Sequence, residues 1–482
     1  MKTTARPALP IWLIAALILL VTACNSGSTS SAADAADSTT PADSENADID
    51  VVGIPTFPEI EVERTNVGDR LLLKPTDGCH RLESTPTAIG QWLLYSASPT
   101  GDCPSNDAEL WGLDLSTQTL FRVASLSSIG TPLVWPTEGV FGALSNGGLF
   151  RLDADSLLPT ETTQPNGSSI TTSPLRLDQR LYLGTRHRSA TSCSEAGLDC
   201  GAVLGLSLDG AIVAQLTVDR GFEASVTASP TSDGERIFLG TGLGAPGSTG
   251  FTHACAVVRL DRTLSVTARF DPGDSGCREN SGRHDFVSGE VVVGRSAVWA
   301  LFADAIDSGG DGALVQLDFD LVERCRTPLT PPSDGALVGP TQGVVLDEQG
   351  RAYLAVNEGT APAVSGRLLR VDSDCSSKTL LQLTTPIRST PILVDDRFVM
   401  VAAGDTLYVV DRQNGETHTF PLAGGSDVIA SPVVIAGTLV VAQVDGPLTI
   451  WPQSGFGSYG TALWPRPRRD NDGVAIEVTP NP

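Results

Sequence analysis

One short phrase returns along this chain, and it restricts the fold to a series of like units. The phrase opens with a small residue and proline: Thr85-Pro86, Thr131-Pro132, Ser173-Pro174, Ser229-Pro230, Gly339-Pro340, Thr390-Pro391 and Ser431-Pro432. Between Pro230 and Pro340 the gap spans two units, and Ser288-Gly289-Glu290 holds the middle place. After each opening come a short β-branched strand, a turn, and a second apolar strand ending in Gly or Ala. A loop then leads to a third strand with a Leu-x-Asp-like end. The clearest unit is 389–422, STPILVDDRFVMVAAGDTLYVVDRQNGETHTFPL. In it PILV, RFVMVAA, DTLYVVD and ETHTFPL read as four strands, with Gln413-Asn414-Gly415 as a turn. Third-strand ends recur in register at Asp114, Asp153, Asp209, Asp261, Asp318, Asp372 and Asp411. An Asp there caps the turn into the fourth strand, because its side chain accepts hydrogen bonds from backbone N–H groups two or three residues on.

Four short strands in each unit of about 40–50 residues is the signature of a propeller blade. The strands alternate or run apolar without helical spacing. No amphipathic stretch with helix caps is found after residue 50. The fold class expected is all-β, a seven- or eight-bladed β-propeller of four-stranded antiparallel blades. The last unit, from residue 432, lacks a clean fourth strand, and Arg70-Leu71-Leu72-Leu73 is placed to supply it and close the ring.

This pattern resembles the quinoprotein-like β-propeller superfamily over roughly residues 55–465. The repeat at 389–422 and the phrase Trp464-Pro465-Arg466-Pro467-Arg468-Arg469-Asp470 carry the likeness. The dehydrogenases of that superfamily hold pyrroloquinoline quinone on the ring axis, over a Trp floor, with an adjacent-Cys disulfide and Ca²⁺. This sequence has no Cys-Cys pair, and its seven Trp do not recur in register. The resemblance therefore implies fold rather than cofactor, and the expected function is non-catalytic. A quinone- or calcium-dependent enzyme on the same ring is the alternative.

The first residues give an address. Lys2 and Arg6 precede an apolar run from Ile11 to Val21, too short for an ordinary spanning helix. Val21-Thr22-Ala23-Cys24 resembles a bacterial lipobox, which would make residues 1–23 a signal peptide and Cys24 the lipidated, palmitate-bearing N-terminus. In lipoproteins of diderm bacteria an Asp after that Cys favours inner-membrane retention. Asn25 leans towards the outer membrane, facing the periplasm or the cell surface. Among lipoproteins of this ring fold, the propeller subunit of the outer-membrane barrel-assembly machinery resembles the chain in lipobox and size class. Residues 24–54 read as an acidic Ser/Thr/Ala tether, too poor in apolar residues to offset the entropy of ordering. Residues 466–482 read as a tail.

Lys plus Arg number 32 against 56 Asp plus Glu, a net charge of −24. That excludes a nucleic-acid binder, which needs a basic face, and it leaves the lipid as the sole hold on an anionic membrane. The partner expected is an unidentified envelope protein.

With Cys24 set aside, eight cysteines remain: Cys79, Cys103, Cys193, Cys200, Cys255, Cys277, Cys325 and Cys375. An even number in an exported chain reads as four disulfides. Local closure favours Cys79–Cys103, Cys193–Cys200, Cys255–Cys277 and Cys325–Cys375, although eight cysteines allow 105 connectivities. No metal-ligand spacing appears among them. No cofactor is expected. The weak candidates for Ca²⁺ are Asp304, Asp307 and Asp311, whose loop reads equally as an acidic hairpin tip. Two long loops, 186–202 and 241–256, are insertions between second and third strands and are expected to carry partner contacts.

Overall fold

A computed structural model describes residues 57–467, except 77–78, 83, 90–91, 101–107, 125–127, 136–138, 145–148, 154–155, 164–168, 171, 187–200, 218–224, 243–255, 272–285, 304–311, 330–336, 361–362, 458, 460–461 and 463–465. The described residues contain strands and turns and no helix. The strands form seven sheets, antiparallel but for one parallel bridge, and one of them has eight strands. That sheet is two successive four-strand meanders, 225–270 and 286–328, which touch at Ser229–Glu290 and Gly242–Phe286. The first three units span 80–124, 128–163 and 169–216, and the sixth and seventh span 337–383 and 392–421.

The eighth unit closes with residues from the other end of the chain. Arg70–Pro75 pairs with Leu448–Trp451, with Leu71 opposite Ile450 and Leu73 opposite Leu448. Val62–Val67 then adds outside it. Just before this hairpin, the chain runs along the outer strand of the first unit, where Ile60 N–H donates to Leu120 O and Arg122 N–H donates to Pro58 O. The N-terminal segment thus completes one unit and covers the edge of its neighbour, which removes exposed ladder groups. Packing also runs on to Arg466, which the sequence assigned to the tail. Its guanidinium is buried and donates to Pro86 O at 2.6 Å.

The prolines of the repeated phrase break or precede the innermost strands, because proline has no N–H for the ladder; Pro391 and Pro432 stand just before Ile392–Val394 and Val433–Ile435. In the first unit the strand breaks into His80–Leu82 and Thr87–Ile89 around Pro86. In the fourth the register shifts between Ala228 and Thr231, around Pro230. The freed small residues join one unit to the next. Ser173 N–H donates to Ser229 Oγ at 3.1 Å, Ser431 Oγ donates to Thr390 O at 3.1 Å, and Ser431 N–H donates to Thr85 Oγ1 at 3.3 Å.

The Gly that ends many second strands answers the same crowding. A Cβ on Gly184 would stand 2.4 Å from Val226, and one on Gly240 would stand 2.4 Å from Val287. Both contacts cross to the next unit. Apolar cores are shared in sequence around the series, and Leu71, Val440 and Leu448 of the eighth unit pack with Leu93 and Trp111 of the first. Each such fully buried side chain is worth about 1.5–3 kcal/mol of transfer free energy.

Candidate functional site

The turn from third to fourth strand is a repeated device. Asp114 accepts from Ser116 and Thr117, Asp153 from Ser156, Asp261 from Thr263 and Ser265, Asp318 from Asp320 and Val322, and Asp411 from Gln413 and Asn414. At Asp114, Asp261 and Asp411 burial works against the charge, and these turn hydrogen bonds outweigh it, so the carboxyls sit below the usual range. At Asp209 and Asp374 the hydroxyls of Ser207 and Ser376 have the same effect.

The residue after the turn Asp faces the preceding unit, and its identity decides what fills the seam between them. Between the fourth and fifth units it is Phe319. Its ring lies 6.2 Å from Phe238 and beneath the Arg236 guanidinium at 4.4 Å. Arg259 reaches across to donate to Phe319 O and to Asp320, each at 2.7 Å. Between the sixth and seventh units the residue is Arg412. It lies over Tyr353 at 5.6 Å and pairs with Asp347 at 3.0 Å. Asp347 is fully buried and also holds Arg351 at 2.6 Å. Tyr353 donates to it at 3.0 Å, and burial, then the charge of Asp347, pushes the Tyr353 hydroxyl up to about 12.

Between the fifth and sixth units the same place holds Ser373. The ladder registers align the three seams: Phe238 opposite Arg259, Trp299 opposite Gln316, and Tyr353 opposite Arg370. Relative to the fourth–fifth seam, Phe319 becomes Ser373, Arg236 becomes Ala297 and Arg259 becomes Gln316. Three shorter side chains leave a cleft of about 600 Å³, lined by these residues and by Trp299, Cys325 and Gly350 among others. Arg295, Ser296, Arg324 and Asp374 form an exposed rim. Trp299 and Gln316 are 1% and 5% exposed and form the floor.

The cleft is fastened covalently. Cys325, on the outer strand of the fifth unit, is bonded to Cys375, in the turn of the sixth, with Cα atoms 5.8 Å apart. Thr327 Oγ1 donates to Cys375 O at 2.8 Å beside it. Cys375 stands where the neighbouring turns carry Leu264 and Leu321, and all three share a positive φ near 60°.

Cys79 is also disulfide-bonded and buried. Cys24, Cys103, Cys193, Cys200, Cys255 and Cys277 lie outside the described residues, as do Asp304, Asp307 and Asp311 and the central parts of the loops 186–202 and 241–256. Among the described residues no group of three or more His, Cys, Asp or Glu is placed to hold a metal ion. The described Trp side chains are Trp92, Trp111, Trp299 and Trp451, all on second or third strands rather than innermost ones. Trp111 is committed to Glu109, to which its indole donates at 2.7 Å. None of these four side chains is placed for the axial Trp floor of a quinone site; Trp135 ends the innermost strand of the second unit, and its side chain lies outside the described residues.

The cleft has no motif of its own in the sequence. The signal that finds it is the comparison of equivalent positions between successive units, and only the turn Asp of that set stood out by itself.

The chain matches no protein-family profile and no curated protein. Its fold is that of solved β-propellers. BamB from Moraxella catarrhalis is similar at 14% identity and a TM-score of 0.52, over 83% of this chain and 100% of that one. A quinohemoprotein alcohol dehydrogenase from Comamonas testosteroni is similar at 14% identity and a TM-score of 0.56, over 80% and 75%. A europium-containing methanol dehydrogenase is similar at 12% identity and a TM-score of 0.53, over 83% and 93%.

Proposed function

We propose that this chain is a lipid-anchored, exported propeller of eight blades that binds a protein partner at the bacterial envelope and carries out no catalysis. The observation that carries this reading is the fifth–sixth seam. It is left open by three short side chains and held by a disulfide, on a ring whose adjacent seams are filled. A rigid framework with a preformed cleft binds without first ordering itself, which lowers the cost of association. The lipobox-like Val21–Cys24 and the acidic stretch after it support the anchor, and the fold shared with BamB supports an envelope setting.

The test is affinity capture from detergent-solubilised envelopes, with wild type and Ser373→Phe in parallel. Phenylalanine there reproduces the neighbouring filled seam. A partner recovered with wild type and lost with Ser373→Phe supports the reading. Equal recovery, or quinone-dependent dye reduction by the purified chain, contradicts it.

A further inference from the structure

We infer that the fifth–sixth cleft recognises an acidic peptide segment, an inference that rests on the binding role proposed above and names its ligand. Three features of the cleft converge on this chemistry. Arg295 and Arg324 have no hydrogen-bond or ion-pair partner among the described residues. Elsewhere in these units the arginines are engaged: Arg259 with Asp320, Arg326 with Glu323, Arg351 and Arg412 with Asp347, and Arg370 with Asp372. In a chain with 56 acidic and 32 basic residues, two unpaired guanidinium groups on one cleft are conspicuous. A guanidinium fork matches a carboxylate bidentately.

The second feature is Gln316. It is 5% exposed and lines the cleft. Its carbonyl oxygen has one close polar neighbour, Cys325 Sγ at 3.8 Å. That sulfur is in a disulfide and carries no proton to donate. A buried amide oxygen that no protein group donates to is unfavourable, so the group is poised for something that brings a donor. A fully deprotonated inorganic anion such as sulfate only accepts hydrogen bonds, and phosphate at neutral pH offers O–H donors but no backbone-like N–H and C=O pair. A peptide backbone offers both an N–H for the Gln316 oxygen and a C=O for its nitrogen.

The third feature is that the cleft's own carboxylates are already engaged. Glu348 and Asp374 also line the cleft. Glu348 is balanced by Arg412 at 3.6 Å, and the carboxyl of Asp374 is held charged by Ser376. Neither is paired with Arg295 or Arg324, whose charges are left for a ligand's carboxylates. This arrangement suits a short acidic segment whose carboxylates are held by the two guanidinium groups.

The inference is tested by titrating the purified chain with the capped peptide acetyl-Gly-Asp-Glu-Gly-amide, following the fluorescence of Trp299 in the cleft floor. The controls are acetyl-Gly-Asn-Gln-Gly-amide and inorganic phosphate. The acidic peptide should bind at least tenfold more tightly than the neutral one and lose affinity with added salt. Arg295→Glu with Arg324→Glu should weaken it at least tenfold. Gln316→Leu should also weaken it while leaving the melting temperature unchanged or raised, because no internal hydrogen bond is lost. A lowered melting temperature in Gln316→Leu would mean that the amide is structural and would overturn its assigned role. Equal binding of the neutral peptide, or saturation of the site by phosphate alone, overturns the inference. If neither peptide binds while envelope capture still depends on Ser373, the binding role stands and the acidic ligand is wrong.

Discussion

The fourth–fifth and fifth–sixth seams are built on one template and differ in what crosses them. In the first, Phe319 packs against Phe238 and Arg236, and Arg259 ties the turn down. In the second, Ser373, Ala297 and Gln316 withdraw from the same positions, and the Cys325–Cys375 bond holds the units together. A filled seam derives its cohesion from packing. The open one derives it from a cross-link at the edge, which leaves space inside. The difference teaches that a repeat protein can make a cleft by shortening a few side chains at one interface, while the ladder registers on either side of it stay aligned.

The turn carboxyls that recur along the series should respond most broadly. The turn carboxyls Asp114, Asp209, Asp261, Asp374 and Asp411 all sit below their ordinary range in the folded chain. Groups of this kind contribute stability that is present above the unfolded-state pKa, about 3.9, and is lost as pH falls through the folded-state value. Denaturant midpoints should therefore be flat from pH 7 to about pH 5 and drop below about pH 4. A decline that begins near pH 6 would mean other groups govern the response.

The covalent seam comes next. Cys325→Ala with Cys375→Ala opens a loop spanning 50 residues of sequence. The loop-entropy model puts the loss near 4 kcal/mol, with about 2–4 typical of measured cases. Chemical denaturation should show it, and a change below about 1 kcal/mol would mean the open seam holds without its staple.

Arg412→Ala tests the third variation on the template. Removing one partner of a buried ion pair costs about 3–5 kcal/mol. Here the low end is expected, because Arg351 still faces Asp347. Phe319→Ala follows at about 2 kcal/mol, below the ~3–5 of a fully buried phenylalanine because the residue is only partly buried. Ser373→Phe should be the mildest, within about 1 kcal/mol of wild type, since the added ring enters existing space rather than a packed core. If Ser373→Phe proves as damaging as Phe319→Ala, the two seams are not built on one template.

The sequence exposed what each unit must do for itself. Proline cannot sit in a continuous inner ladder, so Pro86 and Pro230 mark strand interruptions wherever they occur. The strands read in 389–422 stand within a few residues of Ile392–Val394, Phe398–Ala403, Thr406–Asp411 and Thr417–Pro421. The closing role of Arg70–Leu73 was visible because the eighth unit was one strand short. The cleft was not visible, because it depends on Ala297, Gln316 and Ser373 meeting across a seam. Each is ordinary in its own stretch of chain, and meaning comes only from the larger residues at equivalent places in adjacent units.

The central claim is that the fifth–sixth seam binds and its filled neighbour does not. Asp374 and Asp320 occupy the same exposed turn position in the two units, so a photoreactive amino acid can replace either without disturbing a core. Irradiation in intact cells should give a specific adduct from position 374, competed by excess acidic peptide, and none above background from position 320. Equal adducts from both positions, or an adduct from 320 alone, would contradict the account.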